Sequence, residues 1–145
     1  MSARRVVVTG AGSVTALGGN CAVLWEALAS GRSGIGPIQA VNASQVRFKN
    51  GAEVRGFDPE AHFGPKEAGL LDRFAQFALL AAKEAVAAAG VEWTAALRAR
   101  SAVVTGSSVG GGTTQDQGFA DLYRKGRGRV SPLTIPRTMA NAGAS

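Results

Sequence analysis

Two short apolar runs, each followed by glycine and small hydroxyl residues, dominate the pattern of hydrophobic and polar positions. The first covers residues 5–9 and is closed by Gly10, and the second covers residues 100–106 and ends at Gly106. Continuous β-branched runs without alternation are typical of strands covered on both faces of a parallel sheet. We therefore predict two buried strands, each leading into a glycine-rich loop, which is where α/β proteins commonly place their sites.

Apolar residues recurring at spacings of three and four predict two main helices. The first covers residues 21–30, with Asn20 as its N-cap and Gly31 as its C-terminal cap. The second is stronger: Asp72 caps it, Gly90 ends it, and eight alanines occupy positions from 75 to 89. Because alanine leaves little side chain between two backbones, we expect this helix to pack closely against a neighbour.

The middle of the chain, residues 32–71, is broken by glycine and proline and predicts irregular structure. Within it, residues 53–57 predict a short strand. The sequence Asp58-Pro59-Glu60 predicts a turn or the start of a short helix. Residues 93–100 predict a turn and one short helical piece.

The C-terminal third predicts a short amphipathic helix over residues 116–123, with Phe119, Leu122 and Tyr123 turned inward. Residues 130–136 are predicted to be extended, because residues that precede proline avoid the α region. Residues 139–145 are small and resemble helix material without an ending signal.

Composition narrows the class of protein. With 145 residues and 46% apolar content, the chain has the size and composition of one globular domain. Its net charge is +6, and its densest basic group, residues 124–129, predicts contact with an acidic partner, a phosphate or nucleic acid. Only Tyr123 accompanies that group as an aromatic residue, whereas single-stranded nucleic acid requires several stacking rings. We therefore predict no nucleic-acid partner.

Cysteine and histidine are too few for several kinds of site. One cysteine, Cys21, excludes an internal disulfide, and one histidine, His62, leaves no Cys/His cluster for zinc. Cys21 falls in the first turn of the first helix, where a thiol can be activated, but no base is marked near it and we interpret it as structural. No apolar run approaches a membrane span, so we predict a cytoplasmic protein without metal or membrane contact.

The first glycine loop resembles a dinucleotide-binding fingerprint but fails its spacing. Gly10 and Gly12 follow a predicted strand, yet Thr15 stands where the third glycine of G-x-G-x-x-G belongs. Val14 and Ala16 stand where a short-chain dehydrogenase pattern needs glycine. An NAD(P)-binding oxidoreductase is therefore a weak alternative, and we predict no cofactor.

Five segments, in order along the chain, form a set that is specific as a whole, although each is weak alone. They are Arg4-Arg5-Val6-Val7-Val8-Thr9-Gly10 with Gly12 and Leu17-Gly18; Trp25, Leu28 and Gly31 with Ser33-Gly34-Ile35; Asp72-Arg73-Phe74 with Gln76 and Ala78; Gly106-Ser107-Ser108-Val109-Gly110-Gly111; and Arg129-Val130-Ser131-Pro132 with Pro136 and Asn141. Together these segments resemble the β-ketoacyl-[acyl carrier protein] synthases of the elongating type.

The resemblance implies an α/β thiolase-like fold, two similar halves stacked as alternating layers of helix and sheet (αβαβα). Residues 1–145 would form most of the N-terminal half, with the C-terminal half outside this sequence. It also implies a decarboxylative Claisen condensation in fatty acid or type II polyketide synthesis, using one cysteine and two histidines. Cys21 and His62 match none of these positions, so the chain is predicted to hold no catalytic residue and to be inactive alone.

The resemblance does carry over binding residues. Val109 matches the position that gates the family's acyl tunnel, and Leu133 and Thr134 match a stretch that reaches the partner subunit's pocket. An acidic acyl carrier protein is the implied partner, and a homodimer or synthase heterodimer the implied assembly. The predicted docking residues are Lys66, Arg124, Lys125, Arg127 and Arg129, although Gly69 and Leu70 replace basic residues that the family often has. The alternative is a non-catalytic, chain-length-factor-like subunit.

Overall fold

The structure is a computed structural model that describes residues 5–144; Arg4 and Ser145, which belong to predicted segments, lie outside this range. It divides into two compact units. The first comprises Met1–Phe57 and Leu80–Val91, and the second comprises Asp58–Leu79 and Glu92–Ser145. The long helix α3 (Arg73–Ala89) contributes to both units.

In the first unit, α1 (Cys21–Ala29) follows the first glycine loop as predicted. The Asn20 side chain accepts a hydrogen bond from the Val23 N–H at 2.8 Å, so it satisfies one of the free donors of the first turn. Gly31 adopts φ 68° after the last turn, which is the left-handed conformation that glycine allows at no steric cost. Both predicted caps are confirmed.

A two-residue antiparallel ladder is the only sheet in the described part of the chain. It joins β1 (Gly36–Pro37) to β2 (Asn50–Gly51), with Gly36 opposite Gly51. A short 3₁₀ turn, Ala43–Gln45, lies between them. The strand predicted at residues 53–57 is wrong: Glu53 instead uses its carboxylate to accept the N–H groups of Gln39 and Ala40, at 2.8 and 2.9 Å.

The two predicted buried strands are not formed. Residues 5–9 and 100–106 lie outside any helix or strand. Val6 and Val8 are 93% and 89% exposed, and Val104 is 93% exposed. A strand exists only where a second segment supplies its hydrogen-bond partners, and no segment of residues 5–144 pairs with either run. The apolar pattern indicates strand composition, but it does not say which segment provides the pairing.

In the second unit, α2 (Pro59–Ala68) begins where the Asp58-Pro59-Glu60 signal predicts. Asp58 caps it by accepting from the N–H groups of Glu60 and Ala61. The chain then reaches α3, whose predicted cap Asp72 is also confirmed, since its side chain accepts from the Phe74 N–H. The predicted short helix is α4 (Ala95–Ala99), capped by Thr94.

The C-terminal segment differs most from the prediction. Helix α5 covers Gly112–Phe119 and continues into a π-helical turn at Ala120–Arg124, so it starts earlier than predicted. Phe119, Leu122 and Tyr123 are exposed, not turned inward. Helix α6 covers Thr134–Thr138, inside the stretch predicted to be extended. Residues 139–144 form turns and not a helix.

The prediction of extended structure up to Pro136 fails because Leu133 and Thr134 do not directly precede the proline. Proline restricts only the residue directly before it, and it tolerates the first helical turn because its missing N–H needs no partner there. Pro136 is the third residue of α6. The helix can therefore begin at Thr134 without losing a hydrogen bond.

Candidate functional site

The second glycine loop, residues 106–112, is held by its own backbone. The Gly110 N–H donates to the Ser107 hydroxyl oxygen at 2.8 Å, and the Gly111 N–H donates to the Thr138 carbonyl at 3.2 Å. Both glycines are buried. A Cβ atom on Gly110 would overlap the Thr138 carbonyl oxygen, and one on Gly111 would overlap the Arg137 carbonyl oxygen. The loop is glycine-rich because it lies against the backbone at the end of α6.

The close approach predicted for this loop is confirmed, and it leaves one side chain free. Gly110 has φ 71°, which turns the chain directly after Val109. Val109 is 66% exposed, although it is apolar and directly precedes the buried Gly110 and Gly111. Backbone contact therefore fixes the position of the loop, while the Val109 side chain stays available to other groups.

A buried carboxylate fixes the helix that follows the loop. One oxygen of Asp72 accepts both the N–H and the hydroxyl of Thr114, at 2.7 and 2.6 Å, and the other accepts the Phe74 N–H at 3.4 Å. Asp72 is only 2% exposed. Because Thr114 is the third residue of α5, one side chain caps the starts of α3 and α5. Asp72 therefore anchors the α5 end of the glycine loop.

The sequence pattern identifies Asp72 as the cap of α3 but not as a partner of Thr114. Capping is a local signal, since the capped N–H lies two or three residues away. The contact with Thr114 spans 42 positions in the sequence. Only the fold brings these two residues together, and no periodicity or spacing in the sequence reports it.

The predicted tunnel residues lie on segments that the fold connects. Leu133 precedes α6 and is exposed, and Thr134 begins α6 and is half-buried. Helix α6 packs against α5, and its last residue, Thr138, accepts the Gly111 hydrogen bond. Val109 and Thr134 are therefore parts of one packed assembly within the second unit.

The predicted docking residues are all exposed, but they do not form one group. Lys66 lies in the last turn of α2 and lines a groove with Phe63, Pro65 and Leu70. Arg127 and Arg129 line a different cavity, beside α5 and α6. The structure therefore separates Lys66 from the cluster at residues 124–129.

Asp121 neutralises part of the positive charge of the basic cluster at residues 124–129. Asp121 accepts the Lys125 ammonium at 2.7 Å and pairs with the Arg127 guanidinium at 3.3 Å. The hydrogen bond from Lys125 is the main cause that lowers the pKa of Asp121; the Gln117 amide and the charges of Lys125 and Arg127 act in the same direction. Arg124 and Arg129 make no ion pair with the described residues, so they supply the uncompensated charge.

The first glycine loop is organised around a different carboxylate. Glu84 of α3 accepts the Ser13 N–H at 2.9 Å and the Cys21 N–H at 2.8 Å. These two bonds, from Cys21 first and then from Ser13, lower the pKa of Glu84 below its ordinary value of 4.5. Cys21 is thus placed by its backbone, as the first residue of α1, and its thiol is a free, half-buried group.

The described residues contain no cluster of histidine, cysteine, aspartate or glutamate that could hold a metal ion. His62 is exposed and makes an edge contact with Phe63. Residues 5–144 also include no helix long and apolar enough to cross a membrane.

Comparison with known proteins identifies the family. The family described as "Beta-ketoacyl synthase, N-terminal domain" matches residues 3–145. The chain belongs to this family. The resemblance stated from the five segments is thereby confirmed.

Several curated relatives match almost the whole chain. The 3-oxoacyl-[acyl-carrier-protein] synthase 2 proteins of Coxiella burnetii and Vibrio cholerae are each 36% identical to it over 141 residues, which is 97% of this chain and 34% of theirs. The chloroplastic 3-oxoacyl-[acyl-carrier-protein] synthase I of Arabidopsis thaliana is 32% identical over 145 residues, 31% of its length. The chain spans about a third of the length of these relatives.

Solved structures confirm the predicted fold class. The ishigamide ketosynthase/chain length factor superposes with a TM-score of 0.80 at 23% identity, over 98% of this chain and 36% of that one. A β-ketoacyl synthase from Burkholderia phymatum superposes with a TM-score of 0.76 at 26% identity, over 98% and 35%. The chain therefore has the N-terminal part of the α/β thiolase-like fold of the condensing enzymes.

Proposed function

We propose that the protein containing this chain is a 3-oxoacyl-[acyl-carrier-protein] synthase, an acyltransferase that extends acyl chains. One observation carries this proposal: relatives with that name match 97% of the chain at 36% identity. The match includes the two glycine loops and both carboxylate-anchored helix starts, so it covers the organised parts of the structure.

The proposed reaction joins two thioesters. Malonyl-carrier protein loses CO₂, and the carbon of the resulting enolate attacks the carbonyl of an acyl group bound to an enzyme cysteine. A C–C bond forms, the C–S bond to the cysteine breaks, and the thiolate leaves. Such chemistry needs an activated thiolate and donors for the developing oxyanion. We infer that residues 1–145 supply neither and are inactive alone.

We also propose that residues 1–145 are the N-terminal part of a larger synthase domain. The chain spans 34% of the first relatives, and its two β-branched runs expose Val6, Val8 and Val104. Segments from the rest of such a domain would pair with these runs and cover them. The intact mass of the protein purified from its natural source tests this: a mass of 14.7 kDa would contradict it.

Within the synthase, we assign the substrate pocket to Val109, Leu133 and Thr134. The exposure of Val109 beside a buried, backbone-held turn supports this assignment, because its position is fixed while its side chain is free. Valine is smaller than isoleucine, so more room is left for longer acyl chains. The packing of α5 against α6 supports a common wall for Val109 and Thr134.

Docking of an acidic carrier protein is proposed at Arg124 and Arg129, with smaller contributions from Lys66, Lys125 and Arg127. The unequal weights follow from Asp121, which already compensates Lys125 and Arg127. Changing Arg124 or Arg129 to Glu should weaken carrier-protein binding more than the Lys125→Glu change. Arg100→Glu, on an exposed residue away from the cluster, is the control. Equal losses for all four variants would contradict this distribution.

A second candidate is a non-catalytic, chain-length-factor-like subunit, with which the shared fold is equally compatible. Both candidates imply a dimer, as a homodimer in the first case and a synthase heterodimer in the second, in fatty acid or polyketide synthesis. The residue at the nucleophile position beyond Ser145 separates them. A cytoplasmic location stays a prediction that cell fractionation would test.

A single assay decides between these candidates. The full-length protein would be incubated with an acyl primer and malonyl-carrier protein, and mass spectrometry would follow both the acyl-enzyme thioester and the extended product. A synthase forms both. A non-catalytic subunit forms neither alone, but it changes product length when its partner is added. Saturable NADPH binding without either product would instead support an oxidoreductase.

A further inference from the structure

A cavity of about 320 Å³ lies in the second unit, between α5 with the π-helical turn that follows it, the segment at residues 127–131 and helix α6. Its charged lining is unbalanced, with three arginines, Arg127, Arg129 and Arg137, against one aspartate, Asp121. A water molecule takes about 30 Å³ of liquid volume. The cavity therefore has room for a small ion together with several water molecules.

The aspartate does not compensate all three arginines. Asp121 pairs with Arg127, and it also accepts hydrogen bonds from Lys125 and the Gln117 amide. Its two carboxylate oxygens are thus already used by Arg127, Lys125 and Gln117. The side chains of Arg129 and Arg137 make no hydrogen bond or ion pair with any residue in the described range. Two guanidinium groups therefore line the cavity without a counter-charge from the chain.

Arg137 adds a sharper observation. Its Nε atom is fully buried, and among residues 5–144 it has no hydrogen-bond partner. Buried N–H donors in folded proteins nearly always have an acceptor, and leaving one unpaired is destabilising. Helix α6 fixes the Arg137 backbone through its N–H bond to the Leu133 carbonyl, while its side chain lines the cavity.

The remaining lining adds neutral donors. Ser131 accepts the Leu133 N–H at its hydroxyl oxygen, which leaves its own O–H free to donate. Thr134, a second hydroxyl residue, also lines the cavity. Planar guanidinium groups with nearby hydroxyls are the usual protein partners of phosphate oxygens, which accept several charge-assisted hydrogen bonds at once.

We propose that this cavity is a binding site for a phosphate group, held by Arg129 and Arg137 with hydroxyl donors from Ser131 and Thr134. The proposal does not depend on the condensation activity. It shares Arg129 with the proposed carrier-protein docking, but Arg137 is not a docking residue, and Arg124 and Lys125 do not line the cavity.

Titration of the full-length protein with inorganic phosphate tests the site, with chloride at matched ionic strength as the reference anion. We expect saturable binding by calorimetry and a phosphate-dependent rise in melting temperature. Arg137→Gln should weaken phosphate binding about tenfold or more, as expected when a charge-assisted contact is lost. The matched control is Arg124→Gln, on the same unit but outside the cavity, and it should bind as the unchanged protein does.

Two further variants keep the test decisive if Arg137→Gln does not fold. Arg129→Gln should also weaken phosphate binding, and Arg137→Lys should retain charge but bind more weakly, because it loses the planar fork. Equal effects of phosphate and chloride would overturn the proposal and indicate that water satisfies Arg137. Equal binding by Arg137→Gln and Arg124→Gln would overturn it as well.

Discussion

The two glycine loops of this chain follow the same sequence plan and are built differently. Each comes after a β-branched run, each precedes a helix, and in each a carboxylate from α3 or its cap accepts an N–H from the first turn of that helix. In the first loop, Glu84 is half-buried and accepts the backbone N–H groups of Ser13 and Cys21. In the second, Asp72 is buried and also accepts the Thr114 hydroxyl.

The backbones against which the loops pack also differ. Gly10 and Gly12 lie on the middle of α3, where a Cβ atom would overlap the carbonyl oxygens of Ala85 and Ala81. Gly110 and Gly111 instead lie on the C-terminal end of α6. The first loop is therefore fixed to a long, regular helix, and the second to a five-residue helix. A shared glycine pattern therefore predicts that a loop packs closely against another backbone, but it does not predict which helix supplies that backbone.

The largest expected effect is on the buried glycines of the second loop. Gly110→Ala should lower the free energy of unfolding by about 3 kcal/mol, because it adds a steric overlap with Thr138 to a left-handed backbone conformation. Gly106→Ala is the control, since a Cβ atom there meets nothing within 4 Å. Urea unfolding of the full-length variants measures both.

The first loop offers a corresponding glycine variant and control. Gly12→Ala should cost about 1–3 kcal/mol through overlap with the Ala81 carbonyl alone, since Gly12 has no positive φ. Gly19→Ala, which meets nothing within 4 Å, is its control. A Gly12→Ala cost equal to that of Gly110→Ala would mean that backbone conformation contributes nothing to the difference between the loops.

The next effect concerns Asp72. Asp72→Ala should cost about 2–3 kcal/mol, because it removes a helix cap and leaves the buried N–H and hydroxyl of Thr114 without an acceptor. Asp58→Ala removes the exposed cap of α2, where water replaces the lost acceptor, and should cost about 1 kcal/mol. Equal losses in thermal or urea unfolding would show that burial of Asp72 adds nothing to its capping role.

A smaller effect concerns the pH dependence that Glu84 gives to stability. The pKa of Glu84 is lowered in the folded protein, so its stabilising contribution is complete above its ordinary value of 4.5 and is lost as the pH falls through the lower, folded-state pKa. Glu84→Gln should therefore flatten the fall in stability below pH 4.5. Glu26→Gln, on an exposed carboxylate of α1 with no hydrogen bond to the described chain, should leave that slope unchanged.

Much of this organisation was predictable from local signals. The caps Asn20 and Asp72, the helix start at Asp58 and the C-terminal glycine Gly31 act within one helical turn, so the sequence around them is sufficient. The alanine-rich face of α3 correctly indicated close packing, and the structure identifies its partners as Gly10 and Gly12. The family resemblance, carried by five ordered segments, was also correct.

What could not be predicted depends on distant partners. The valine runs are strand-like in composition, but pairing requires a second segment. The contacts of Asp72 with Thr114 and of Glu84 with Ser13 and Cys21 span 42, 71 and 63 positions. The unpaired Nε of Arg137 has no sequence signal, because an arginine in a basic, exposed segment is usually solvated.

The smallest effect on stability, and the most specific for function, concerns the valine of the second loop; the valine of the first loop serves as its control. Val109→Phe should change the free energy of unfolding by no more than about 0.5 kcal/mol, since Val109 is largely exposed. In the full-length enzyme it should shift product length toward shorter acyl chains, because the larger ring occupies the proposed tunnel. Val14→Phe, in the half-buried first loop, should do the opposite: it should lower stability and leave product length unchanged. Identical product-length profiles for Val109→Phe and the unchanged enzyme would remove the substrate role from the second loop, and the two loops would then differ only in the backbone that each contacts.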